Sequence, residues 1–208
     1  MTSSTGTAAI VLAGGRASRL GGAAKPLLEV GGRTLLDHVV AAVADCDPVI
    51  VVGPRMPVSG VVVWTQETPP FGGPVAAIAA GLARLDTAEV YVLAADVPHA
   101  DAAVALLRRH PLSADEDGIC LTDSSGRMQW LTARYRVGPL RAAVQALPDA
   151  GRDASARSLL GGLTLTTVDA GGLAADIDTW DDLERARARM SDATRAPRRA
   201  GTLDEETT

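Results

Sequence analysis

The chain has 208 residues, with 20 basic against 25 acidic side chains and a formal net charge of -5. That length suits one domain with a substantial core, and the acidic balance excludes the broad basic face of a general nucleic-acid binder. Hydrophobic residues make up 47% of the chain and aromatics only 3%, an Ala, Val and Leu mixture that fits a sheet packed with helices better than an aromatic-cored small fold.

The first predicted element is an apolar strand, Ala8 to Ala13, which is too short for a secretory signal core and runs directly into glycines. The loop that follows reads from Leu12-Ala13-Gly14-Gly15 through Arg16, Arg19 and Gly21-Gly22 to Lys25, the only lysine in the sequence. No Asp or Glu occurs from Met1 to Leu28, so this stretch is locally cationic in an acidic protein. A compact ammonium on a flexible stem reaches a phosphate as a point charge. Paired glycines let backbone N–H groups approach a base and phosphates. The loop therefore points to a polyanion, most simply a nucleoside triphosphate neutralised by Arg19 and Lys25. Pro26 after Lys25 breaks the Walker A pattern, and the three-glycine dinucleotide spacing is missing as well.

A helix is predicted over Thr34 to Ala44, capped by Thr34, then strands at Pro48 to Val52 and Val61 to Trp64. Gly72-Gly73-Pro74 opens an alanine-rich helix, Pro74 to Leu85, whose N-terminus favours negative charge. Glu67, just before it, is a candidate acceptor for a base or ribose. Val90 to Ala95 is a buried strand ending at Asp96-Val97-Pro98. Asp96 reads either as a Mg²⁺ ligand completed by substrate phosphates or as a turn cap before Pro98. The helix Ala102 to Arg109, the strands Gly118 to Thr122 and Gln129 to Arg136, the helix Leu140 to Leu147 and the strand Leu163 to Val168 follow. Gln129-Trp130 either contacts a heterocycle or fills the sheet face.

Asp176 and Asp178 are predicted on one face of a strand before a last helix from about Trp180 to Met190. They are read as approaching a metal or acceptor, or as caps with Thr179. The predicted organisation is one nucleotide-handling domain over 1–190 and a disordered tail over 191–208. Two cysteines, Cys46 and Cys120, match neither a disulfide framework nor zinc spacing, and with no membrane-span-length apolar run the expectation is a cytoplasmic protein. Alternating strands and helices predict an α/β, Rossmann-like three-layer sandwich with a mostly parallel central sheet. Its ligand lies beyond the carboxyl ends of the strands.

These motifs, from Leu12-Ala13-Gly14-Gly15 through Lys25, Gly73-Pro74 and Asp96-Val97-Pro98 to Asp178-Thr179, resemble those of nucleotidyltransferases. Their order is most similar to the MobA-type molybdenum cofactor guanylyltransferases, over roughly Ala8 to Met190. Gly14 stands where the cytidylyl-transferring relatives carry alanine, and the Gly73-Pro74 pair is again like the guanylyl branch. Glu67 stands where the family often has Asp, and Asp176 or Asp178 where it often has Asn. Val52-Gly53 occupies the place of an Asn common after the second strand. The resemblance implies backbone contacts from Leu12, Ala13 and Gly14 to guanine, further nucleotide contacts from Gly15, Glu67, Gly73 and Pro74, Lys25 on the phosphates, Asp96 on both Mg²⁺ and nucleotide, and Asp178 on Mg²⁺. It implies GTP and molybdenum-molybdopterin as substrates, with other molybdenum cofactor proteins and a molybdoenzyme acceptor as partners. CTP-dependent or sugar-phosphate nucleotidyl transfer and a silent nucleotide-sensing module are the alternatives.

Overall fold

A computed structural model describes residues 4–15 and 24–195. Strand β1 (Ser4–Leu12) lies between β4 (Val49–Val52) and β6 (Thr87–Ala94), parallel to both. The edge strand β5 (Val63–Thr65) extends one side, and β8 (Met128–Arg136), β7 (Gly118–Thr122) and β9 (Leu165–Asp169) extend the other. Among the described residues the sheet has seven strands in the order β5-β4-β1-β6-β8-β7-β9, and only β8 is antiparallel to its neighbours. The mostly parallel sheet expected from the alternating pattern is therefore present.

Alternation along the strands divides the core into two layers. Ala9, Val11, Val51 and Leu93 face α1 (Leu35–Ala42) and α3 (Ala100–Arg108). Ala8, Ile10, Val52 and Val92 face α2 (Gly73–Leu82), α4 (Val137–Gln145) and the short α5 (Ala156–Leu160). Helix α1 starts where Thr34 predicts: its hydroxyl accepts from the Asp37 N–H at 3.1 Å and donates to Oδ2 of Asp37 at 2.8 Å. The alanine-rich α2 lies very close to β1. A Cβ on Gly81 would sit 2.8 Å from Cδ1 of Ile10, so no larger residue fits there without displacement.

A hairpin and a short helix add to the elements that the sequence predicts. Gly31-Gly32, at φ +59° and +78°, make the two-residue turn of a hairpin between β2 (Glu29–Val30) and β3 (Arg33–Thr34). Helix α5 has five residues, too few to show a helical period. The last helix also differs from its expected end, since α6 (Trp180–Arg195) runs five residues past Met190 into the segment expected to be tail. Residues 196–208 lie outside the described residues. Helix α6 packs on the hairpin through a third apolar cluster of Val30, Leu35, Ile177, Leu183 and Ala186. Among the described residues no helix is long and apolar enough to cross a membrane.

Candidate active site

The chain runs from β1 outward through β4 to β5 on one side and from β6 toward β9 on the other. The topological switch point therefore falls between β1 and β6, where such sheets open a crevice. Leu12 pairs in register with Ala94, and the Ala95 N–H donates to the Leu12 carbonyl at 3.0 Å. The Ala13–Gly15 backbone and Asp96 thus leave adjacent strands at the same edge.

Gly53 sets the height of that backbone. Its φ is +146°, and a Cβ there would lie 2.9 Å from the Ala13 carbonyl carbon and the Gly14 nitrogen. The Ala13 N–H donates to Val52 O at 2.9 Å, so glycine alone permits this close approach.

Two adjoining cavities fill the crevice. One, of about 360 Å³, is lined by Leu12, Ala13, Gly14, Gly15, Lys25 and Asp96 among others. The other, of about 410 Å³, shares Leu12, Gly14, Gly15 and Asp96 and adds Glu67, Gly73 and Pro74. Glu67 is partly committed, because its Oε1 accepts from the Phe71 N–H at 3.0 Å. Phe71, the only phenylalanine, lines both cavities, is 59% exposed and has φ +64°. A bulky residue in the left-handed region at a pocket mouth is a strained feature of the kind found at functional sites. Its signal in the sequence was a lone aromatic between Pro69-Pro70 and Gly72-Gly73. Arg19, with Arg16, Gly21 and Gly22, lies outside the described residues.

The charged centre is compact. Nζ of Lys25 lies 2.5 Å from Oδ2 of Asp96 and 3.0 Å from Oδ1 of Asp178. Burial opposes charge on Lys25, but Asp96 and then Asp178 outweigh it and hold its pKa above the ordinary 10.5. Asp176 and Asp178 do not lie on a strand, contrary to the alternation argument. Residues 175–178 are irregular, and the Ile177 N–H between the two acids donates to the Asp96 carbonyl at 3.2 Å. The cap of α6 is Thr179, whose hydroxyl accepts from the Asp182 N–H at 3.2 Å while its own N–H donates to Oδ2 of Asp182 at 2.8 Å. Capping is thus done by Thr179 and Asp182, and the Asp178 carboxylate faces Lys25. Asp176 lines the cavity wall, its carboxyl pushed above the usual range by burial and then by the charges of Asp96 and Asp178.

Oδ1 of Asp96 is buried and has no hydrogen-bond partner among the described residues. An orphaned buried carboxylate oxygen is costly unless something cationic or protic completes it. The donor set fits a hard divalent cation, with Asp96 and Asp178 supplying oxygens and phosphates the remainder. Among the described residues no group of three or more His, Cys, Asp or Glu side chains forms a ready-made metal cage.

A third cavity, of about 730 Å³, shares Ala94, Leu131 and Asp176 with the second. It opens where β8 bulges: Cys120 pairs with Ala133 and Leu121 with Gln129, so Trp130, Leu131 and Thr132 leave the β7 ladder. The hydroxyl of the buried Tyr135 donates to the Trp130 carbonyl at 2.9 Å and pins the bulge. Gln129 and the half-buried Trp130 line the cavity, though the Gln129 amide donates to Oδ2 of Asp123 at 2.9 Å. Arg127 and Arg157 stand on its rim, both exposed.

The MobA-like NTP transferase domain matches residues 9–167. The chain belongs to that family. Within the family it is similar to the molybdenum cofactor guanylyltransferase of Bradyrhizobium sp. (strain ORS 278), 44% identical over 89 residues. That alignment covers 39% of this chain and 42% of the relative, so the chain spans less than half the length of that curated relative. Molybdopterin-guanine dinucleotide biosynthesis protein A from Archaeoglobus fulgidus has the same fold, with a TM-score of 0.69 at 18% identity over 89% of this chain and 99% of that one. So does 2-C-methyl-D-erythritol 4-phosphate cytidylyltransferase from Thermus thermophilus, with a TM-score of 0.62 at 22% identity over 88% of this chain and 98% of that one. One fold thus carries both a guanine-named and a cytidylyl-named protein.

Proposed function

We propose that this chain transfers GMP from GTP to the terminal phosphate of molybdenum-bound molybdopterin and releases pyrophosphate. The observation that carries the reading is the meeting of Lys25 and Asp96 at 2.5 Å in the crevice between β1 and β6, lined by the glycine loop. The guanylyl choice is supported by the molybdenum cofactor guanylyltransferase named above, by Gly14 and by Gly73-Pro74.

In this reading Leu12, Ala13, Gly14 and Gly15 offer backbone to the guanine, with Gly73 and Pro74 closing the far wall and Phe71 at the mouth. Lys25 and Arg19 neutralise the triphosphate. Asp96 and Asp178 hold Mg²⁺, which when bound supplies charge stabilisation on the phosphates of the transferring group. A phosphate monoester has a second pKa of about 6 and is largely dianionic at neutral pH, so the nucleophile needs no general base. That accounts for a crevice with no histidine or activated serine among its described residues: its work is alignment and charge offset. The acceptor takes the 730 Å³ cavity, where Trp130 faces a planar heterocycle and Arg127 and Arg157 meet its anionic groups. The product passes to a molybdoenzyme or another molybdenum cofactor protein, in the cytoplasm.

The test is incubation with Mg²⁺, molybdopterin and each of GTP, CTP, ATP and UTP, with pyrophosphate release followed and the product weighed. The expected product is the guanylyl adduct alone. A cytidylyl adduct moves the chain to the CTP-using branch, and nucleotide binding without pyrophosphate release makes it a sensing module.

A further inference from the structure

We propose that Lys25 and a divalent cation are alternative occupants of one seat between Asp96 and Asp178, so that the lysine stays off the nucleotide until it yields that seat. The proposal rests on the nucleotidyl-transfer reading and adds an order of events to it. Three observations carry it.

First, the ammonium bridges the two carboxylates expected to ligate the metal, at 2.5 and 3.0 Å, and in that position it is directed at acids of its own chain. Second, it satisfies them incompletely. Asp96 and Asp178 set two carboxylates against one ammonium, and Oδ1 of Asp96 keeps no partner among the described residues. A dication offsets that excess better than an ammonium does. Third, the lysine can leave without moving its backbone. The Lys25–Leu27 turn is held by the Leu27 N–H on Ala24 O at 2.8 Å and the Leu28 N–H on Lys25 O at 3.1 Å. The 360 Å³ cavity that Lys25 already lines gives its flexible four-carbon stem room to turn into. Lys25 thus keeps the carboxylates paired in the resting protein and becomes a phosphate ligand only when the seat is taken.

Because Lys25 is the only lysine, ¹³Cε-lysine labelling gives one NMR signal that reports this side chain alone. In nucleotide-free protein, Mg²⁺ is expected to move that signal toward the position of a solvated lysine, and NaCl at equal ionic strength to leave it unmoved. Mn²⁺ binding, followed by the EPR signal of the free ion, is expected to be about tenfold tighter or more in nucleotide-free Lys25→Met than in wild type, since the competing cation is gone. Should that variant fail to fold, the wild-type signal still decides. Mn²⁺ binding by wild type with a lysine signal indifferent to Mg²⁺ would overturn the alternation, as would equal or weaker Mn²⁺ binding by folded Lys25→Met. The Mg²⁺ dependence of wild-type turnover judges the metal reading separately, so the two failures are distinguishable.

Discussion

Asp96 carries two different jobs on its two ends. Its carbonyl accepts from the Ile177 N–H and anchors the segment before α6, while its carboxylate pairs with Lys25. The first is untouched by side-chain truncation, so Asp96→Ala is expected to keep the fold by circular dichroism. It should lower Mg²⁺-dependent turnover by about a hundredfold or more, the scale of losing one electrostatic stabiliser. Near-normal turnover in the folded variant would remove Asp96 from the metal site. Asp176 makes the opposite kind of statement. Its carboxyl is shifted upward, by burial first and then by Asp96 and Asp178. A group whose folded pKa exceeds its unfolded value favours the folded state fully only below the unfolded pKa and loses that contribution as pH rises through the folded one. Asp176→Asn should therefore raise Tm at pH 7, with the gain shrinking through the carboxylate range and vanishing below about pH 3.9. A Tm difference independent of pH would contradict the assignment.

At the scale of elements, the crevice depends on how closely backbones approach. Gly53 follows β4 and holds the Ala13–Gly14 backbone at contact distance. Gly53→Ala is expected to destabilise by about 1–3 kcal/mol, from overpacking and a strained φ. It should also raise the KM for GTP several-fold, because the displaced atoms belong to the nucleotide loop. Lower stability in urea with an unchanged KM would make Gly53 a packing residue only. The strands flanking the switch point were legible because Ala8 to Ala13 and Val90 to Ala95 are continuous apolar runs bounded by breakers. The β2–β3 hairpin and α5 were not, since two residues a side and five in total carry no period. The β8 bulge leaves no local mark either, because it is defined by a partner strand.

For the molecule as a whole, the site is closed by a contact between the beginning and the end of the described chain. Lys25 and Asp178 are 153 residues apart, and what brings them together is the third apolar cluster, separate from both faces of the sheet. The acid-free loop and the strand-end Asp96 announced their chemistry in sequence, but which of Asp176 and Asp178 meets Lys25 depends on where α6 docks. Leu183 is fully buried in that cluster. Leu183→Ala should cost about 2–5 kcal/mol. It should also raise hydrogen exchange in α6 and the hairpin together while β1 and β6 stay protected. Unchanged exchange in the hairpin would show that α6 does not support it.

The reversed direction of β8 has one more consequence. Its first residues and the Asp123–Arg127 turn before it lie at the rim where the parallel strands end, on the far side of β6 from the glycine loop. Insertions or sequence drift in that turn would reshape the room for one guest and leave the lodging of the other intact. Descendants of a common ancestor would then be free to change the molecule they decorate without relearning how to hold the donor.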